Sequence, residues 1–425
     1  KKFLLSELHK WRNNVNPYLD LLQAYPFEKL KKLFAGITPN PAYTPISLGL
    51  GEPKHATPQL IKDALINNLD GLANYPSTIG NEPLRKAISQ WLAKRYQIPQ
   101  LDIVTQILPV NGSREALFSL TQAVIDPTQN QHGKPIVMCP NPFYQIYEGA
   151  AYLAGAEPFF VNADPQRNFA PNYSTVPEDI WKRTQLLFVC SPGNPTGAVL
   201  TQADWEELFH LSDKYGFIIA ADECYSEIYF KEDAPLGSLS AAAKAGKTDY
   251  GRLITLSSLS KRSNVPGMRS GFVAGDAALI KQFLLYRTYH GGAMSPSVQA
   301  ASIAAWNDEK HVIENRELYR QKFAQVTPVL QQVLDVKLPD AAFYLWAGVD
   351  KYLKISDTEF AQGLYRDYNV TVLPGSFLAR EAHGTNPGKN RIRMALVAEV
   401  EECMEAAQRI AAYTQALMRK STQEN

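Results

Sequence analysis

Between about residue 105 and residue 275 the chain repeats one pattern, a short apolar run that stops at a polar or glycine-rich turn. The runs lie in TQILPVNGS, KPIVMCPNP, TQLLFVCSPGNPTG, YGFIIAADE, RLITLSSLSK and SGFVAGD. Helical stretches such as REALFSLTQAVID and TQADWEELFHLSDKY separate several of them. Apolar runs without polar alternation predict strands buried on both faces, and strands alternating with helices predict an α/β fold with a mostly parallel central sheet. Ligands of such sheets sit beyond the carboxyl ends of the strands. Those ends carry the unusual residues of this chain.

At 425 residues the chain has room for roughly two to three domains and a cleft between them. Residues 1–45 read as a helical arm, LDLLQAYPFEKLKKLFAG, closed by the proline-rich TPNPAYTP. PLRKAISQWLAKRY, from residue 83, spaces Leu84, Ile88, Trp91 and Leu92 as an amphipathic helix. After residue 300 come long helical stretches, three strand-like runs (FYLWAGV, YNVTVLPGS, RIRMALVA) and a last helix from about Glu399 to Met418. The expected division is a large ligand-binding domain over 46–300 and a smaller α+β domain over 301–425, completed by the arm 1–45.

A net charge of +1 offers no surface for nucleic acid or membrane, so the expected partners are small molecules and a second copy of the chain. Cys139, Cys190, Cys224 and Cys403 form no CxxC pair, and three lie in or beside apolar runs, which predicts reduced thiols in a cytoplasmic protein. The apolar core of the N-terminal KKFLLSELHKW is too short for a signal peptide, and no run approaches the ~18 apolar residues of a membrane span. The seven histidines are scattered without an HExxH pair, so no metal site is expected.

SSLSKRSNVPGMRSG, residues 257–271, sets Lys261 among small residues that let backbone approach a ligand closely. A nucleophilic lysine must lose its proton well below the free value of about 10.4, through burial or nearby cations, and Arg262 and Arg269 are near in sequence. SLSK also fits an S-x-x-K serine nucleophile at Ser258, but the SDN and KTG elements that motif requires are absent. Asp222 ends the run YGFIIAAD, where it could cap a helix or present a carboxylate to a ligand, with Tyr225 three residues on. Asn194 sits in the conformationally fixed SPGNPTG. Gly112, Ser113 and Arg114 stand between a strand and a helix, a candidate phosphate cradle to which Arg269 could add a guanidinium. A lysine, a carboxylate, hydroxyl and amide groups and an anion cradle at successive strand ends describe a pocket for pyridoxal 5'-phosphate. Lys261 would be the Schiff-base lysine and proton-transfer base, Asp222 the partner of the ring nitrogen, and Tyr225 and Asn194 partners of the ring oxygen.

The blocks SLGLGEP, NYPSTIGNEPLR, NGSREALF, CPNPFYQIYEGA, SPGNPTGAV, ADECYSEIYF, SLSKRSNVPGMRSGF and RIRMALV, in this order, resemble the fold-type I aminotransferases of the aspartate aminotransferase class. The resemblance spans nearly the whole chain from about residue 16. It implies a homodimer with shared active sites. It further implies that Tyr144 stacks on the cofactor, Ser258 and Arg269 bind its phosphate, and Tyr75 reaches the phosphate of the other subunit. Gly51 and Asn194 would lie at the substrate carboxylate. Of Arg391 and Arg393, which strand alternation puts on one face, the family pattern selects Arg393 as the carboxylate clamp.

NPFYQIYEGA, DECYSEIYF, SKRSNVPG, YRTYHG and VLPGSFLAREAHG are similar, more narrowly, to the succinyldiaminopimelate aminotransferase subfamily. That likeness implies a ping-pong exchange of an amino group between N-succinyl-LL-2,6-diaminopimelate and 2-oxoglutarate in lysine biosynthesis. Arg262 and Ser263 replace the residues most general relatives carry after the lysine, and Arg262 or Arg287 is the expected receptor for the distal carboxylate. The same cofactor residues would also serve a lyase or a transaminase for another amino acid, such as N-acetylornithine. A non-catalytic effector domain of a transcription regulator would need a DNA-binding domain ahead of the core, for which 45 residues are too few.

Overall fold

The computed structural model describes residues 15–423; KKFLLSELHKW lies outside them. A short strand β1 (Ile46–Ser47) precedes the seven strands of the main sheet: β2 (Ile107–Val110), β3 (Ile136–Asn141), β4 (Glu157–Asn162), β5 (Thr184–Cys190), β6 (Ile218–Asp222), β7 (Leu253–Ser258) and β8 (Gly271–Gly275). Their spatial order is β2-β8-β7-β6-β5-β3-β4. β8 runs antiparallel to both neighbours, and all other pairings are parallel. The six apolar runs became β2, β3, β5, β6, β7 and β8. β4 was not among them, because EPFFVN lies at the sheet edge and is only partly buried.

Helices cover both faces of this sheet, as strands buried on two sides require. Leu187, Ile219 and Phe272 pack with Ile88, Leu92 and Trp205 on one face. Phe188, Leu256 and Val273 pack with Leu117, Leu120 and Phe283 on the other. The amphipathic stretch near residue 83 is the helix Glu82–Tyr96, started by the Asn81 side chain, which accepts the Leu84 N–H at 2.8 Å.

A second core forms around β9 (Tyr344–Gly348), β10 (Val370–Thr371), β11 (Leu373–Pro374) and β12 (Arg391–Ala395), with β12 antiparallel between β11 and β9. The helices Lys310–Gln331 and Val400–Gln423 pack on it. β1 pairs in parallel with β10, and Ile46 and Leu48 belong to this second core. Residues 46–48 therefore go with the smaller unit, a few residues beyond the boundary read from the sequence. The helix Pro26–Leu33 joins the same side through Leu30, which packs with Trp346, Leu373 and Leu378. Among the described residues no helix is long and apolar enough to cross a membrane.

β7 is a central strand that delivers the segment Ser258–Lys261, and its Leu256 is fully buried. Leu256→Ala is expected to lower the unfolding free energy by about 2–5 kcal/mol, read from the urea midpoint.

Candidate active site

The carboxyl ends of β5, β6 and β7 face a cavity of about 900 Å³, closed on the other side by β12 and the segment at Gly51. The volume suits a small-molecule site. β6 and its neighbours set its floor by register: Asp222 lies opposite Cys190 of β5 and Leu256 of β7.

Lys261 stands in the short helix Leu259–Arg262, whose first turn is capped by Ser258 Oγ accepting the Ser260 N–H at 3.1 Å. Its Nζ donates to the Gly51 carbonyl at 2.7 Å. Burial pushes the Lys261 pKa down to about 8; Arg393 and Arg269 act in the same direction, and Cys224 and Glu52 oppose. The amine is thereby placed to become a nucleophile at mildly alkaline pH.

Asp222 is buried and makes no ion pair among the described residues. Tyr147 Oη donates to its Oδ2 at 2.8 Å, and the Cys224 N–H points at Oδ1 from 3.4 Å. Burial raises its pKa, while the hydrogen bonds from Cys224 and Tyr147 counteract that rise. A buried carboxylate with only neutral partners fits a cationic N–H ligand.

Arg393 Nη1 donates to Asn194 Oδ1 at 3.0 Å and Nη2 to the Gly49 carbonyl at 2.9 Å, with the guanidinium 4.4 Å from the centre of the Tyr344 ring. Tyr344 and Tyr225 share a hydroxyl contact of 2.8 Å. A side chain at Gly51 would strike Tyr344 Oη, so the close approach of this backbone to the tyrosine requires glycine. Gly112, at φ +84°, opens the helix Ser113–Val124, and a side chain there would strike the Arg269 guanidinium. Gly112, Ser113, Ser258, Ser260 and Arg269 thus form one small, donor-rich corner, with the Ser258 and Ser260 hydroxyls 2.9 Å apart. Arg114 lines the cavity too, but its Nε donates to Tyr144 Oη at 2.6 Å.

Two expectations are corrected. Arg262 is buried away from the cavity: Nη2 donates to Glu309 Oε1 at 2.6 Å and Nη1 to the Ala305 carbonyl at 2.7 Å, with Trp91 and Trp306 against the guanidinium. Arg287 is fully buried and clamps Glu115 with both Nη atoms, at 2.7 and 2.8 Å. Each guanidinium is satisfied by an internal carboxylate, so neither can receive the distal carboxylate of a substrate. Arg391 turns towards Asp335, 3.9 Å away, and only Arg393 of that pair lines the cavity. Tyr75 is fully exposed and lies outside the cavity of its own chain.

Tyr147, Tyr344 and Cys224 are site residues to which the sequence assigns no role, and Ser260, one of the small donors around Lys261, lines the cavity. A signal existed for Tyr147, which follows Tyr144 by three positions at the start of the helix Gln145–Leu153. Tyr344 had none beyond its place in an apolar strand.

A desolvated lysine amine and a buried aspartate lining one cavity at the strand ends of an α/β sheet mark a class of enzymes built to hold an aromatic cofactor. The family model described as aminotransferase class I and II matches residues 43–410, and the chain belongs to that family. Members use pyridoxal 5'-phosphate. The chain is 31% identical to an LL-diaminopimelate aminotransferase of Aquifex aeolicus, over 86% of this chain and 90% of that one. It is 53% identical to an aminotransferase of known structure from Neisseria meningitidis, with a TM-score of 0.90 over 94% of this chain and 99% of the other. A probable N-succinyldiaminopimelate aminotransferase from Thermus thermophilus, 24% identical with a TM-score of 0.79 over 91% and 100%, shares the fold.

The residues present fit that cofactor. Asp222 wants a cationic partner, the corner at Gly112 and Arg269 admits an anion, and Lys261 supplies the amine. Acylation of Lys261 in cofactor-free protein is expected to be half-maximal near pH 8, well below the value of about 10.4 for a free lysine side chain; peptide mass mapping across pH checks this. Tyr147→Phe removes a hydrogen bond to the Asp222 carboxylate and is expected to weaken cofactor binding by roughly ten- to a hundredfold in a fluorescence titration.

Proposed function

We propose that the protein exchanges an amino group between N-succinyl-LL-2,6-diaminopimelate and 2-oxoglutarate, in the succinylase branch of lysine biosynthesis. The observation that carries the reading is the convergence of Lys261, Asp222 and Arg393 on one cavity. Pyridoxal 5'-phosphate, when bound, supplies the ring that takes up electrons from the Cα–H bond. Lys261 would hold it and then move the proton at Cα. Asp222 would keep its ring nitrogen protonated, with Tyr225 and Asn194 at the ring oxygen and Tyr144 against the ring face. Gly112, Ser113, Ser258 and Arg269 would hold the phosphate, joined by the backbone of Arg114. Arg393 and the Gly51 backbone would take the carboxylate next to the reacting carbon, which fixes the reacting face.

The far end of the donor needs another cation. Arg114 lines the cavity and makes no ion pair among the described residues, so it takes the place first sought at Arg262 or Arg287. A second reading is transfer from LL-diaminopimelate itself, favoured by the names of the curated relatives at 31–32% identity. The two donors differ at the far end, a succinylated anionic tail against a free ammonium. Of the cavity carboxylates, Glu115 is already held by Arg287, whereas Glu52 makes no ion pair among the described residues and is the group that would meet the ammonium of the second donor. The exposed Leu69, Leu72 and Tyr75 support a homodimer in which Tyr75 reaches the partner's phosphate corner. The four free thiols suit the cytoplasm.

Glutamate formed from 2-oxoglutarate with each donor tests the reading. N-succinyl-LL-diaminopimelate is expected to exceed LL-diaminopimelate in kcat/KM by at least about tenfold, and Arg114→Met to raise the KM of the succinylated donor by about tenfold or more. The reverse order of donors would establish the second reading. Glutamate from neither would remove diaminopimelate and leave the aminotransferase class.

A further inference from the structure

The three residues after Lys261 face away from the cavity, and each is held by the start of the helix Lys310–Gln331 or the turn before it. Arg262 meets Glu309, and Ser263 Oγ lies 2.8 Å from His311 Nε2, whose Nδ1 is 2.6 Å from Asp308 Oδ2. Asn264 Nδ2 donates to Asn315 Oδ1 at 3.1 Å. Ser263, His311 and Asp308 have the order of a hydrolase triad, but Ser263 is fully buried and its hydroxyl also accepts from Arg262 Nη1 at 3.1 Å. They form a clamp with no access for a substrate.

Asn315 carries the chain of bonds further. Its Oδ1 lies 2.6 Å from His55 Nδ1, and His55 Nε2 lies 2.6 Å from Lys322 Nζ. These partners select one proton arrangement: the Lys322 ammonium donates to Nε2, and the Nδ1–H donates to Asn315. Lys322 also donates to the Val397 carbonyl at 3.3 Å. Val397 lies two residues past β12, which bears Arg393, and His55 lies four residues past Gly51, which accepts the Lys261 amine. Lys322 is 2% exposed and makes no ion pair among the described residues. Burial lowers the pKa of both groups, Lys322 to about 8, with Glu399 opposing in each case. A buried ammonium held by a ring nitrogen and a carbonyl is costly if packing is its only task.

We infer that Lys322 and His55 are positioning residues that lock the Gly51 segment, the end of the Arg393 strand and the loop after Lys261 in one register, and so set the affinity for the substrate carboxylate. The inference rests on the roles proposed above for Gly51 and Arg393. It gives the smaller unit a hold on both sides of the Lys261 amine. Neither residue of the dyad lines the cavity, so its loss is expected to weaken binding of donor and acceptor alike and to leave proton transfer by Lys261 largely intact.

The test compares holoenzyme variants Lys322→Met, His55→Phe, the double variant and Lys322→Arg. His55→Phe strands the ammonium and is expected to lower the thermal midpoint; the double variant, an apolar pair, recovers it. The KM for 2-oxoglutarate is expected to stay raised by about tenfold in the double variant with kcat changed less than about threefold, and to recover in Lys322→Arg. The pH midpoint of the visible absorbance of the Lys261-bound cofactor is expected to shift with it, because the Gly51 carbonyl moves. A double variant with KM within about twofold of the native enzyme and an unmoved absorbance midpoint overturns the inference. Arg393→Lys separates the two readings: an unchanged KM there faults the carboxylate assignment, and the absorbance midpoint alone then decides the dyad.

Discussion

Desolvation of the Lys261 amine is the constraint on which the site depends. Burial favours the neutral amine, and Arg393 and Arg269 act in the same sense. Those guanidiniums, with Arg114, line the cavity without ion pairs among the described residues, while the buried Asp222 is surrounded by neutral donors. With Glu52 as the other cavity carboxylate outside an ion pair, the cavity suits a ligand with several negative charges facing the guanidiniums and a positive N–H at Asp222. A phosphorylated pyridine cofactor together with a substrate carboxylate has that distribution. The same charge pattern depresses the lysine and admits the anions, so nucleophile and binding site come from one arrangement.

Topology explains why these groups meet. β5, β6 and β7 are parallel neighbours, so Cys190, Asp222 and Ser258 emerge at one edge of the sheet and the turn after β7 drops Lys261 beside them. Arg393 comes from the other core, on β12, and crosses to Asn194 of the main domain. Gly51 belongs to the segment that leaves the second core after Leu48. The cavity is thus a junction, and its geometry is as good as the register between two separately packed cores.

The sequence made the sheet legible because strands buried on both faces leave unbroken apolar runs, and the residues that end such runs stand out. Lys261, Asp222 and the Gly112 turn could be found that way. Side-chain direction could not. Arg262 and Arg287 sit in suggestive stretches, yet the carboxylates that satisfy them, Glu309 and Glu115, lie 47 and 172 positions away in the chain. Tyr344 reads as one more aromatic in a strand until its hydroxyl is seen against Tyr225, 119 positions distant. Edge position hid β4, whose residues are half-exposed and carry no clean period.

The departure at Arg262 and Ser263 acquires a physical meaning from these distances. Neither side chain touches the cavity, so they cannot select a substrate by contact. Both bury polar groups against Glu309 and His311, and burial of paired polar groups fixes geometry more than it adds stability, since each alternative register leaves a donor or an acceptor unmatched. A one-residue slip of the helix Lys310–Gln331 would break the contacts of Arg262, Ser263 and Asn264 together, along with the path through His55 to Lys322. The helix and the Lys261 loop therefore have one matched position, and it bears on Gly51 and Arg393, the groups proposed to take the substrate carboxylate.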